Sequence, residues 1–129
     1  MSWYQGNDLK KPTGGKKSRH RNKRKYELGR APTMTKLSTQ EARKIIRVRG
    51  GNIKVRLKKA VYVNVAIPDE KIVKKTKILE VVETAANPQL ARGNYIVKGT
   101  IVRTELGLVK ITSRPGQDGV LNGVLIEKA

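Results

Sequence analysis

Residues 43–59 read RKIIRVRGGNIKVRLKK, and the fold class turns on their alternation. Ile46 and Val48, then Ile53, Val55 and Leu57, alternate with Arg47 and Arg49, then with Lys54, Arg56 and Lys58. Successive side chains of a strand point to opposite faces, so this period of two predicts two strands joined at Gly50-Gly51-Asn52. Parity sets the expected loop. Only an even-numbered turn, Gly50-Gly51 or Gly51-Asn52, gathers every apolar residue on one face. The cations Arg47, Arg49, Lys54, Arg56 and Lys58 then share the other face, several directly opposed. Like charges opposed across a ladder cost a few tenths of a kcal/mol to about 1 kcal/mol each. An external anion is the simplest offset, which makes the hairpin a candidate binding surface.

Working outward, the strand signal continues. Residues 60–67, AVYVNVAI, alternate Val61, Val63 and Val65 with Tyr62, Asn64 and Ala66, as a half-buried strand does. Pro68-Asp69-Glu70 turns the chain. Residues 71–84 hold Ile72, Val73, Ile78, Leu79, Val81 and Val82; positions 78, 79, 82, 85 and 86 also suit a helical face, but β-branched enrichment predicts strand. Residues 85–90, AANPQL, form a turn or a single helical turn. Further strands are expected at 95–103, with Gly99 as a bend, at 108–112 and at 120–126. A tight polar loop, SRPGQDG at 113–119, separates the last two. On the other side of the hairpin, residues 31–37 are a connector in which Pro32 disfavours helix at Ala31. Ser38-Thr39-Gln40-Glu41 has capping-box spacing but room for one short turn at most. About six short strands punctuated by Gly and Pro predict a mainly β protein, with a small β-barrel-like domain over residues 38–129.

Residues 1–37 are of another kind. The segment 10–30, KKPTGGKKSRHRNKRKYELGR, carries no hydrophobic period of 3.6 or 2, and its apolar residues Tyr26 and Leu28 come only near its end. Such a chain buries too little to offset the entropy of ordering it, and its charges repel one another. It is expected to be an extended basic tail that takes shape on a polyanion. Trp3 and Tyr4, adjacent near its tip, can stack on exposed bases or tuck against the parent domain.

The charge is divided in the same way. The net charge is +19, and residues 1–60 hold 19 Lys and Arg against Asp8, Glu27 and Glu41, whereas residues 61–129 hold 10 against 7 acids. A balance this basic points to nucleic acid. With no Cys and His20 as the single His, disulfides, thiol catalysis and Cys/His zinc sites are excluded. No apolar run approaches the roughly 18 residues of a spanning helix, and the N-terminus lacks the apolar core of a signal peptide. Gly14-Gly15-Lys16 hints at a phosphate loop, but Lys10 stands where the motif needs Gly and Lys17 where it needs Ser or Thr. His20 has no partner for a catalytic dyad, and the acids are scattered singly. No enzyme activity, cofactor, membrane or small-molecule substrate is expected.

Several blocks then resemble a known family. Thr13-Gly14-Gly15-Lys16, Lys23-Arg24-Lys25-Tyr26-Glu27-Leu28-Gly29-Arg30 and Val48-Arg49-Gly50-Gly51-Asn52 are similar to the small-subunit ribosomal protein family S-eight-e. Ile78-Leu79-Glu80-Val81-Val82, Ala86-Asn87-Pro88-Gln89-Leu90 and the loop around Arg114 resemble its archaeal branch, as does the absence of the insertion that lengthens eukaryotic members. The resemblance implies a barrel-like domain, a basic extension threaded into small-subunit ribosomal RNA, and a structural and assembly role beside neighbouring small-subunit ribosomal proteins. The candidate RNA contacts in the tail are the cations Lys10, Lys11, Lys16, Lys17, Arg19, Arg21, Lys23, Arg24, Lys25 and Arg30, with Thr13, Gly14, Gly15, His20 and Tyr26 between them. In the second domain they are Arg47, Arg49, Lys54, Arg56 and Lys58, joined by Arg114. A free RNA chaperone or nucleic-acid-compacting protein, or an adaptor for acidic partners, uses the same charges without a fixed site.

Overall fold

The computed structural model describes residues 3–129 and resolves the chain into two units, Met1–Pro32 and Thr33–Ala129. The first is held by short backbone pairings. Strand β1 (Trp3–Tyr4) runs antiparallel to β2 (Leu28–Gly29), and Gln5 N–H extends the pairing by donating to Glu27 O at 2.8 Å. Lys10 and Lys16 form an isolated bridge across a turn in which Lys11 N–H donates to Gly15 O at 2.7 Å. Gly14 takes φ +87° at that turn, a value side chains rarely tolerate. One 3₁₀ turn, Lys25–Glu27, precedes β2. No described residue of this unit is buried, as its composition requires.

The second unit begins with β3 (Lys36–Leu37), β4 (Ala42–Arg47) and β5 (Ile53–Ala60), which form a three-stranded sheet in the order β3-β5-β4. The chain then enters β6 (Tyr62–Ile67) and the 13-residue β7 (Ile72–Thr84). Helix α1 (Pro88–Arg92) follows, with Asn87 Oδ1 capping it through Gln89 N–H. Strands β8 (Thr100–Thr104) and β9 (Gly107–Ile111), the one-turn helix α2 (Pro115–Asp118) and β10 (Asn122–Lys128) complete the unit. Five strands close into a barrel in the order β10-β6-β7-β8-β9. Neighbours are antiparallel except at the seam, where β10 lies parallel to β6 with Asn122 beside Asn64. The barrel expectation holds.

The barrel is filled by inward residues at strand spacing. Val63, Val65 and Ile67 of β6 meet Ile78, Val102, Val109 and Ile111, and Leu57, Ala60, Ile96 and Leu121 close the cluster. With no Phe in the chain, the interior relies on β-branched side chains, and Thr76, Thr84, Thr100 and Thr104 are buried among them. Buried hydroxyls need partners: Thr104 donates to Gly107 O at 3.0 Å, and the Thr84 and Thr100 hydroxyls lie 3.4 Å apart, whereas Thr76 Oγ1 finds no partner among the described residues. Long β7 reaches around the barrel because its register against β8 slips between Ile78 and Glu80 and again between Val81 and Glu83. Leu79 and Val82 are the extra residues of two bulges, which bend a strand toward closure. Among the described residues no helix is long and apolar enough to cross a membrane.

Two expectations need correction. The strand expected at 95–103 starts only at Thr100. Upstream, Ile96 N–H is taken by Thr35 O and Gly99 N–H by Ile111 O, and Gly99, at φ +89°, ends the irregular segment. The hairpin turn is also not even-numbered. Val48 N–H donates to Asn52 O at 2.7 Å, closing a three-residue loop of Arg49, Gly50 and Gly51. Both glycines take positive φ, 73° and 75°, which lets the extra residue fit. The register therefore opposes Arg47 to Ile53, Ile46 to Lys54, Ile45 to Val55 and Lys44 to Arg56. Parity then puts Arg47 on the face of Ile53, Val55 and Leu57, and Ile46 on the face of Lys54 and Arg56. The expected segregation of cations and apolar residues onto opposite faces does not occur.

Candidate nucleic-acid interface

In the first unit almost every cation is presented to solvent. Lys10, Lys11, Lys16, Lys17, Arg19, Lys23, Arg24, Lys25 and Arg30 are exposed, as are Thr13, Gly14, Gly15, His20 and Tyr26. The acids are too few to compensate. Lys16 Nζ lies 3.4 Å from Asp8, both largely exposed, and such a pair is worth about 0–1 kcal/mol. Among the described residues Lys17, Lys23 and Lys25 make no ion pair.

Arg21 is the exception and has an organising role. Its Nη2 donates to Tyr26 Oη and to Glu27 Oε1, each at 2.8 Å, while Glu27 Oε2 accepts from Arg24 N–H at 3.0 Å. The hydrogen bond to Tyr26, reinforced by the Glu27 charge against a burial penalty, raises the Arg21 pKa above its ordinary value. Stability linked to a raised pKa is complete below the unfolded value and lost only as pH climbs through the folded one, so Arg21 stays charged throughout the neutral range. Tyr4 is pinned too, with the Arg19 guanidinium carbon 3.5 Å from its ring centre. Trp3 remains half exposed. The two aromatics thus differ: one is stacked on an Arg of its own unit, the other presents free ring area.

In the second unit the three-residue loop sets the geometry. Lys44, Lys54, Arg56 and Lys58 share one face of the hairpin, with Ile46 among them, and the opposed like-charge pair is Lys44 with Arg56. Arg47 stands across from Ile53 on the other face, and Arg49 sits in the loop. That other face is not buried near the tip, where Ile45 and Ile53 are 68% and 65% exposed; only toward its base does Leu57 enter the core. Interleaving charge with apolar side chains removes most of the like-charge cost expected of a fully cationic face. The tip is instead an exposed mixed surface of Ile45, Ile53 and Arg47.

Helix α2 packs against β5. Lys54 Nζ donates to Gln117 Oε1 at 2.7 Å, and Arg43 Nε donates to Gly119 O at 3.0 Å. Gly119 is αL, φ 72°, and a Cβ there would meet Val55 O at 2.9 Å, so only Gly permits this approach. Arg114 begins α2, its N–H bonded to Asp118 Oδ2 at 2.9 Å, and its side chain is exposed. Lys44 was missing from the expected set. The adjacent glycines were the signal for it, since two residues free to take positive φ accommodate an odd loop.

Elsewhere on the barrel part of the charge is paired. Glu80 pairs with Arg103 at 2.7 Å, and Asp69 and Glu70 reach Lys128 at 3.7 and 3.8 Å. Among the described residues Lys17, Lys23 and Lys25 of the first unit and Lys44 of the hairpin make no ion pair.

A family model described as Ribosomal protein S8e matches residues 4–126. A protein of Staphylothermus marinus, called small ribosomal subunit protein eS8, is 80% identical over 99% of this chain and 100% of its own length. Proteins of the same name from Hyperthermus butylicus and Ignicoccus hospitalis are 62% and 64% identical, each over 99% of this chain, covering 95% and 99% of their own lengths.

Proposed function

Since the chain belongs to the ribosomal protein S8e family, we propose that it is a structural constituent of the small subunit of the cytoplasmic ribosome. It binds ribosomal RNA through residues 10–30 and the hairpin of β4 and β5, lies beside neighbouring small-subunit proteins, and supports assembly and translation without catalysis. The observation that carries the reading is the set of exposed cations Lys17, Lys23 and Lys25, which make no ion pair among the described residues, in a unit none of whose described residues is buried. The residues up to Pro32 act as the RNA-threading segment, and the second unit supplies the barrel it extends from. Neutralising phosphates releases counterions, so log K falls by roughly 0.7–0.9 per log unit of salt for each phosphate contacted. Specificity comes from RNA shape, because side chains cannot read the deep A-form major groove.

Sucrose-gradient sedimentation tests the assignment. The tagged chain should travel with small subunits at physiological salt and leave them after nuclease treatment. A chain that stays free behaves as an RNA chaperone, and complexes that survive nuclease mark a protein adaptor. Arg47→Glu with Arg49→Glu should weaken RNA binding and leave the β-sheet circular dichroism intact. Unchanged affinity removes the hairpin from the interface.

A further inference from the structure

The tail and hairpin leave a second basic surface of the barrel unused. Three cross-strand rows run over the outside of β7, β6, β10 and β9. Tyr62 stands beside Lys77; Asn64 lies between Lys75 and Asn122; Ala66 lies between Val73 and Val124, with Lys110 next. Tyr62 is 41% exposed, and Lys75 Nζ sits 4.7 Å from its ring centre. Asn64 Nδ2 donates to Asn122 Oδ1 at 3.0 Å across the parallel seam. No carboxylate stands in these rows, and among the described residues Lys75, Lys77 and Lys110 make no ion pair.

We propose that this wall holds an unpaired nucleotide of RNA, with Tyr62 as the stacking platform. The inference rests on the RNA partner proposed above but uses a separate surface. A strand face bearing an exposed ring is a platform on which unstacked bases settle, and the absence of acids keeps it open to a polyanion. Base stacking outranks an exposed cation–π contact. An arriving base therefore displaces the Lys75 ammonium, which is long enough to move onto the adjoining phosphate beside Lys77. The bond between the two Asn side chains leaves Asn64 Oδ1 to accept and Asn122 Nδ2 to donate toward a base edge. Duplex RNA cannot use the platform, because its bases are already stacked on each other. Preference for single strands is the signature.

The test titrates the full chain into two fluorescein-labelled RNAs, a stem with an unpaired uridine-rich loop and the same stem as a blunt duplex. The salt is set high enough to abolish duplex binding, since phosphate contacts are lost first. Loop RNA should still bind. Tyr62→Phe keeps that affinity, and Tyr62→Ala lowers it about 5- to 150-fold, the range of one lost stacking contact. Side-chain amide resonances of Asn64 and Asn122 should shift with loop RNA and not with duplex. The proposal is overturned if loop RNA fails to bind at that salt, if Tyr62→Ala loses nothing, or if it loses equally on both RNAs at low salt. Failure of the tail-and-hairpin reading looks different: duplex affinity and its salt slope then survive charge reversal at Arg47 and Arg49.

Discussion

The two units of this chain solve the folding problem in opposite ways. In the barrel, Val65, Val102, Val109 and Ile111 are fully buried, and each such side chain contributes about 1.5–3 kcal/mol. In the first unit no described side chain is buried, and order comes from the two-residue pairing of β1 with β2, the Lys10–Lys16 bridge and the Arg21–Glu27 contact. A folded state held by a few exposed hydrogen bonds is marginal, because each nets only about 0.5–1.5 kcal/mol against the backbone entropy it must offset. The contrast teaches that the barrel is specified by its own interior, while the basic unit has no such interior and, on the function proposed above, depends on bound RNA for its shape.

The largest effect that can break this contrast is in RNA binding. Changing Lys10, Lys11, Lys16, Lys17, Lys23 and Lys25 together to Gln should flatten the slope of log K against log salt by about 4 to 5, if each neutralises one phosphate. The thermal midpoint should stay put; a midpoint that drops would mean these cations hold the fold. Next, Ile111→Ala should cost about 2–5 kcal/mol in chemical denaturation, because it opens a cavity in a wall with no slack. A loss that small residues around it absorb completely would show a loosely packed barrel. Gly119→Ala should cost about 1–2 kcal/mol from the left-handed backbone alone, and more from the approach to Val55 O. The smallest effect sharpens the hairpin register. Lys44→Glu, directly across from Arg56, should stabilise the protein by a few tenths to about 1 kcal/mol and weaken RNA binding at the same time. If the same substitution at Arg47, opposite Ile53, stabilised the protein equally, the register would be wrong.

Much of the candidate site was legible in the sequence because charge runs do not depend on pairing. Lys16 to Lys25 reads as an exposed cationic segment whatever its neighbours, and all its residues but the half-buried Arg21 are exposed. The hairpin was legible in its strands and not in its faces. Alternation in β5 orders Lys54, Arg56 and Lys58 along one side, but the side that β4 presents depends on whether two residues or three turn the corner. Tyr62 read as an ordinary residue of a half-buried strand, because the wall around it is assembled by two different pairings, with Lys75 and Lys77 arriving on β7 and Asn122 on β10 opposite Asn64.

By itself, then, the amino-acid order determined the β character, the positions of most strands and turns, the division of charge between the two halves, and the family. Those properties are local or cumulative, set by the period of two, by Gly and Pro, and by counts of ionisable groups. The tertiary structure decided the three-residue hairpin loop, the parallel seam of β6 with β10, and the slips at Leu79 and Val82 that bend β7 around the barrel. Each is a choice of register between strands whose own patterns tolerate more than one answer, and only closing the barrel around a shared apolar interior selects among them.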